Sequence, residues 1–229
     1  MQQQEMIAIL DEASLRKRWG GNQQAKAIES QRARLRLDDR PLNSLVGGSG
    51  PYDGQTIAKA VGGSKGVTNC LRLCQLAFSF GAGSVVELGT NLGISSAYLA
   101  LGARDADGNA IVRTGDCSPA RLSVAANLHR TVGLNNVRYY PGFFEATVDR
   151  MLKDAGSIGV CFIDGDHTYD GTWKYFRQVL PVMRPRSLVI FDDIDWSDGM
   201  RQFWAEASSD SRTAQYSFQL DGVGYIALD

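Results

Sequence analysis

From residue 67 onward, apolar runs of two lengths alternate, and this alternation limits the chain to few folds. Short runs rich in β-branched residues occur at 84–89 (SVVELG), 110–116 (AIVRTGD), 136–142 (NVRYYPG), 159–165 (GVCFIDG) and 187–193 (SLVIFDD). Between them lie longer helix-like runs at 95–103, 120–132, 145–155 and 172–183, and another precedes the series at 67–78. Strands separated by helices of this length build a mostly parallel sheet covered by helices on both faces. Near the C-terminus, QYSFQL and VGYIAL flank Asp221-Gly222, a two-residue hairpin signal, so the sheet is expected to end in an antiparallel pair. The expected architecture is an α/β fold with seven strands. No internal repeat is visible.

The first 45 residues read differently. They are rich in Gln, Arg and Lys, with small apolar groups at Met6, Ile7, Ile9, Leu10, Leu35 and Leu37. One or two helices interrupted at Gly20-Gly21 fit this pattern, lying over a core or against another subunit. Residues 46–66 hold seven glycines and one proline, as a mobile connector or lid would. Residues 1–66 are thus expected to form a helical cap and connector, and 67–229 the main domain. Ordering of that cap over the site suggests a homodimer.

Twenty-four basic and twenty-five acidic residues leave a formal charge of −1, so no nucleic-acid partner is expected. The Arg-rich run at 31–40 ends in two Asp, which argues against a nucleic-acid arm. No run approaches the 18 apolar residues of a membrane span, and the N-terminus lacks a secretory pattern, so the expectation is a cytoplasmic protein without membrane contact. Cys70, Cys74, Cys117 and Cys161 form no zinc-type pair and read as buried thiols; Cys70 and Cys74 share one helix face.

Ligands of an open α/β sheet bind beyond the C-terminal ends of its strands. Here those ends carry Glu87-Leu-Gly89, Gly115-Asp116, Pro141-Gly142, Asp164-Gly-Asp166-His167 and Asp192-Asp193. Each could be ordinary turn chemistry, but the topology gathers four acidic ends on one rim. The glycines help to choose a ligand. A dinucleotide loop needs glycines at relative positions 1, 3 and 6, and the chain has Gly89, Asn91 and Ile94 there. A phosphate loop fails too, because no Lys-Ser/Thr pair follows Gly93. A nucleoside bearing an amino acid and no pyrophosphate suits the loop better, with Glu87 or Asp116 accepting hydrogen bonds from an amine or ribose hydroxyls.

With these pieces in order, VGGSKG (61–66), VVELGTNLGISS (85–96), IVRTGD, YYPGFF, CFIDGDHTYD and LVIFDD, the chain from about Val61 onward resembles class I S-adenosylmethionine-dependent methyltransferases. Within that class it is most similar to the catechol and caffeoyl-coenzyme A type of cation-dependent O-methyltransferase. The resemblance implies a Rossmann-like fold and S-adenosylmethionine as donor. It places Val61 and Gly62 near the methionine part, Glu87 at its amino end, and Gly89, Asn91 and Gly93 in the close-approach loop. Ser95 falls near the carboxylate, Asp116 at the ribose hydroxyls, Phe143 or Phe144 beside adenine, and Gly142 and Asp164 on the remaining donor side. For Phe143 and Phe144, core packing is an equal reading.

Asp164, Asp192 and Asp193 would repel one another without a positive partner, and carboxylate oxygens suit Mg²⁺ or a similar divalent cation. The resemblance implies Asp, Asp and Asn as ligands, so Asp193 departs from the pattern. His167 stands where the catechol type carries a lysine that assists deprotonation, and a histidine can take that proton near neutral pH. His129, by contrast, reads as a helix-surface or core residue. The implied substrate is a small-molecule hydroxyl, including vicinal diols and catechols. Trp173, Trp196, Trp204 and Tyr169 fit either an aromatic acceptor or core packing. The competing readings are a metal-independent methyltransferase and a nonenzymatic S-adenosylmethionine-binding protein. A short-chain oxidoreductase fits less well, because Tyr169 and Lys174 are not in a Tyr-x-x-x-Lys pair.

Overall fold

The structure, a computed structural model, describes residues 2–44, 54–210 and 215–229. Seven strands form one sheet: β1 (Ser84–Leu88), β2 (Ile111–Asp116), β3 (Val137–Pro141), β4 (Ile158–Ile163), β5 (Met183–Phe191), β6 (Tyr216–Leu220) and β7 (Val223–Leu228). Their order is β3-β2-β1-β4-β5-β7-β6, parallel through β5, with β7 antiparallel to both β5 and β6. Asp221 and Gly222 both take positive φ (50° and 77°), the conformation that a two-residue turn between twisted strands requires.

The period of two along each strand sorts its apolar side chains between two cores. Val85, Val160, Phe162, Leu188 and Ile190 face one core, which they share with α5 (Val67–Phe80), α6 (Ile94–Ala106) and α7 (Pro119–Thr131). Val86, Leu88, Cys161, Ile163, Val189 and Phe191 face the other, under α8 (Phe144–Ala155), α9 (Tyr169–Val179) and α10 (Asp198–Ser209). Helix α10 is not announced by the sequence pattern; Ser197 caps it through Met200 N, and Met200, Phe203 and Ala207 are its buried face. Trp173 and Trp204 pack against this second core, with Trp173 edge-on to Phe203 at 5.1 Å, whereas Trp196 is 74% exposed.

The N-terminal segment forms three helices, α1 (Gln3–Ile9), α2 (Glu12–Trp19) and α3 (Gln23–Leu35). The break between α1 and α2, absent from the sequence expectation, comes from Asp11, whose carboxylate caps the amides of Ala13 and Ser14. Met6, Leu10, Leu15, Trp19 and Ile28 join the first core, so these helices bury apolar surface against α5 and α6. The glycine-rich connector lies partly outside the described residues. Its described part is ordered as α4 (Ile57–Gly62), capped by the Thr56 hydroxyl at Lys59 N. The buried thiols come out as expected for Cys70, Cys74 and Cys161, while Cys117 is half-buried and lines a cavity. Among the described residues, no helix is long and apolar enough to cross a membrane.

Candidate active site

Strand order reverses between β1 and β4, and that reversal opens a crevice at the C-terminal edge of the sheet. Because β2, β1, β4 and β5 are consecutive in space, they set Asp116, Gly89, Asp164 and Asp192 side by side. Short bonds continue the ladder past the strand ends: Asp164 N donates to Leu88 O at 2.8 Å, and Asp192 N to Ile163 O at 3.0 Å. A cavity of about 610 Å³ occupies this edge.

Eight of the expected site residues line it. Gly89, Asn91, Asp116 and Phe143 form one part of the wall, and Asp164, His167, Asp192 and Asp193 form another. Phe144 lines it too, held edge-on against Tyr175 at 5.3 Å, whereas Phe143 is 59% exposed. Six do not line the wall. Val61, Glu87 and Ser95 are buried, Gly62 ends α4 on the surface, Gly93 precedes α6 at φ +83°, and Gly142 follows β3 at φ +128°. Ala60 and Gly63, which flank the expected Val61-Gly62 pair, face the cavity instead.

The loop after β1 is tightly specified. Gly89 has φ +109°, and a Cβ there would stand 1.9 Å from Asp164 O, so only glycine lets β1 and β4 end this close together. Amides of Gly89 and Thr90 both donate to Gly115 O. Asp116 receives the amides of Asn91 and Ser118, each at 2.8 Å, and burial raises its pKa above the ordinary carboxylate value. The Asn91 side-chain amide donates to Ala60 O at 3.1 Å, which ties α4 to the loop.

Glu87 is fully buried and does not line the cavity. Its Oε2 accepts from Thr114 Oγ1 at 2.6 Å, and burial pushes its pKa up to about 7 against the opposing hydrogen bonds of Ser95, Thr114 and Ser96. His129 is a core residue, as read from the sequence, yet it supports the loop. Its Nε2 lies 2.7 Å from Gly93 O and its Nδ1 2.6 Å from Tyr139 Oη. A carbonyl only accepts, so Nε2 carries the hydrogen; burial lowers the pKa of the ring to about 4, which keeps it neutral.

In the other part of the wall, His167 Nε2 stands 3.7 Å from Asp164 Oδ1 and 3.8 Å from Asp193 Oδ2. Burial, then the adjacent Asp192 carboxylate, holds the Asp164 pKa well above the ordinary range. Sequence reasoning missed a member of this group. Lys65 Nζ forms an ion pair with Asp192 Oδ2 and lies 3.0 Å from Asp193 Oδ1. Burial opposes its charge, but Asp192, with Asp164 and Asp193, outweighs that and raises its pKa. The only signal was its place in VGGSKG, the motif that opens the resembling segment. Gln55, Lys59, Arg121 and Glu145 also line the cavity without having been singled out, as do Asp166, named only as part of a strand end, and Cys117, read as a buried thiol.

The three carboxylates have the oxygen chemistry that Mg²⁺ prefers, yet their arrangement does not fit one. Among the described residues no group of three or more His, Cys, Asp or Glu is placed to hold a metal ion, and the Lys65 ammonium bonds two of the three candidate ligands.

The chain is similar to known proteins in part of its sequence and in its fold. Residues 86–194 match a family model described as a methyltransferase domain. No curated protein sequence matches the chain. Among solved structures, the O-methyltransferase from Bacillus cereus in complex with SAH is 17% identical, with a TM-score of 0.62 over 88% of this chain and 90% of that one. Cofactor-bound Rv0187 from MTB is 19% identical, with a TM-score of 0.67 over 94% of each chain. SAH-bound methyltransferase PaMTH1 from Podospora anserina is 16% identical, with a TM-score of 0.66 over 89% and 88%. The chain therefore shares the fold of these proteins over most of its length.

Proposed function

We propose that this protein transfers the methyl group of S-adenosylmethionine to a hydroxyl of a small molecule. One observation carries the reading: Asp116 with the Gly89–Asn91 loop, and His167 with Asp164, line a single cavity of about 610 Å³. A donor seated on the loop would thus meet an acceptor beside the histidine. The methyltransferase-domain match over 86–194 and the SAH bound to the Bacillus cereus and Podospora anserina proteins support the choice of donor. Homodimerisation, a cytoplasmic setting and a capping role for residues 1–66 belong to the same reading.

In the reaction, His167 takes the acceptor hydroxyl proton as the oxygen attacks the methyl carbon. The C–O bond forms while the C–S bond breaks, and its electron pair returns to sulfur, giving the methyl ether, S-adenosylhomocysteine and a protonated His167. Asp164 Oδ1 and Asp193 Oδ2, 3.7 and 3.8 Å from Nε2, orient the ring that takes the proton. The sulfonium is already a good leaving group, so the protein contributes alignment and proton acceptance.

A second reading adds a divalent cation held by Asp164, Asp192 and Asp193, which would lower the hydroxyl pKa and favour diols or catechols. It is favoured by Asp192 Oδ1, a buried carboxylate oxygen without a hydrogen-bond partner. That reading requires Lys65 to give way.

Calorimetry with S-adenosylhomocysteine tests the class without knowledge of the acceptor. Binding is expected, and His167→Ala should keep that affinity while lowering methyl transfer to a hydroxyl panel about 10²- to 10⁴-fold. A folded protein that binds neither S-adenosylmethionine nor its demethylated product sinks the reading.

A further inference from the structure

The acidic cluster already contains a cation. Lys65 sits in the turn between α4 and α5, and its side chain is 18% exposed. Its ammonium reaches both Asp192 and Asp193, which end the same strand on which the cluster depends. The backbone beneath it is fixed from the far side. Arg32, on α3 and 2% exposed, donates through its guanidinium to Lys65 O, while its other amino group lies 3.1 Å from Glu29 Oε1 and 3.2 Å from Cys70 Sγ. Arg32 thus fixes the turn from which the Lys65 side chain starts, and the ion pairs with Asp192 and Asp193 hold its ammonium.

Chemistry makes this ammonium and a metal ion rivals. Mg²⁺ demands near-octahedral oxygen ligands at about 2.0–2.1 Å, so it would need the carboxylate faces that Lys65 holds. An ammonium supplies the positive charge through hydrogen bonds at ordinary donor–acceptor distance and needs no such shell. We propose that Lys65 is the resident cation of the Asp164–Asp192–Asp193 cluster, taking the place of a divalent ion, so that the site works without metal. This deepens the O-methyl transfer reading at the same site. A consequence is that the acceptor need not chelate: a lone hydroxyl suffices where a metal would favour two adjacent ones. Lys65 acts through the aspartates, as a positioning residue.

The test is Mn²⁺ binding, followed by electron paramagnetic resonance of the free ion, on the full chain as wild type, Lys65→Met and Lys65→Arg. Removing one positive charge a few ångströms from the carboxylates strengthens cation binding by well over about tenfold, even at surface-like screening. The wild type and Lys65→Arg should therefore bind Mn²⁺ weakly, with dissociation constants near about 1 mM, and Lys65→Met at least about tenfold tighter. Micromolar binding by the wild type overturns the proposal, whether or not Lys65→Met folds. A Lys65→Met protein that folds, as judged by circular dichroism, and gains less than tenfold overturns it as well. Calorimetry with S-adenosylhomocysteine on the same samples reads the methyltransferase assignment separately, so the two ideas fail by different signals.

Discussion

Glu87 offers the sharpest quantitative test of how this site is built. Its carboxyl is fully buried between Thr114 and the first turn of α6, and its pKa rises from 4.5 to about 7. Between those pH values the folded state holds more protons than the unfolded one, so stability falls as pH rises. Below 4.5 the carboxyl is protonated in both states and the effect vanishes; above 7 the loss is complete. The interval from 4.5 to about 7, at about 1.36 kcal/mol per pH unit, corresponds to about 3 kcal/mol. Glu87→Gln keeps the shape and removes the titration. Of this, about 2.5 kcal/mol falls between pH 5 and pH 8, so the difference in melting temperature between variant and wild type should grow in the variant's favour by about 5–10 °C over that range, taking about 2–4 °C per kcal/mol for a chain of this size. Differential scanning calorimetry at both pH values provides the check. Reading the difference between two proteins removes the titration of other groups. Parallel melting curves, with a constant offset at pH 5 and pH 8, would falsify the assignment of a raised carboxyl pKa to burial. Repeating the scans with saturating S-adenosylhomocysteine adds a functional reading. If Glu87 reaches the donor's ammonium, that charge stabilises the carboxylate and the pH dependence flattens; if it serves only the loop, the dependence persists.

Two further expectations follow from the donor side. Asp116→Ala should weaken S-adenosylhomocysteine binding by about 1.5–3 kcal/mol, because the carboxylate both faces the cavity and holds the amides of Asn91 and Ser118; an affinity within threefold of wild type, by calorimetry, counts against a donor contact. Gly89→Ala forces a Cβ to 1.9 Å from Asp164 O at φ +109°, so it should cost more than about 2 kcal/mol in urea unfolding and also weaken donor binding. A variant with the wild-type midpoint and affinity would mean that the β1–β4 junction is looser than its geometry implies.

Much of this molecule is legible from its sequence because local periodicity and turn chemistry act over short distances. The alternation after residue 67 specifies the parallel sheet and its two helical layers, Asp221-Gly222 specifies the closing hairpin, and the acidic strand ends specify which edge holds chemistry. Other features depend on groups brought together from distant parts of the chain. Glu87 and Asp116 look alike as acidic strand ends, yet Glu87 is buried against Thr114 and Asp116 lines the cavity; only the packing of α6 over the sheet separates them. His129 looks like any core histidine until the fold sets its ring against Gly93 O and Tyr139 Oη. Lys65 carries no periodic signal in a glycine-rich turn, and its meaning appears when α3 fixes that turn through Arg32 and β5 brings two aspartates to its ammonium. Periodicity decides which face a side chain takes within its own element, but Lys65 acquires its role from aspartates more than a hundred residues away, and only the closed tertiary structure sets that distance.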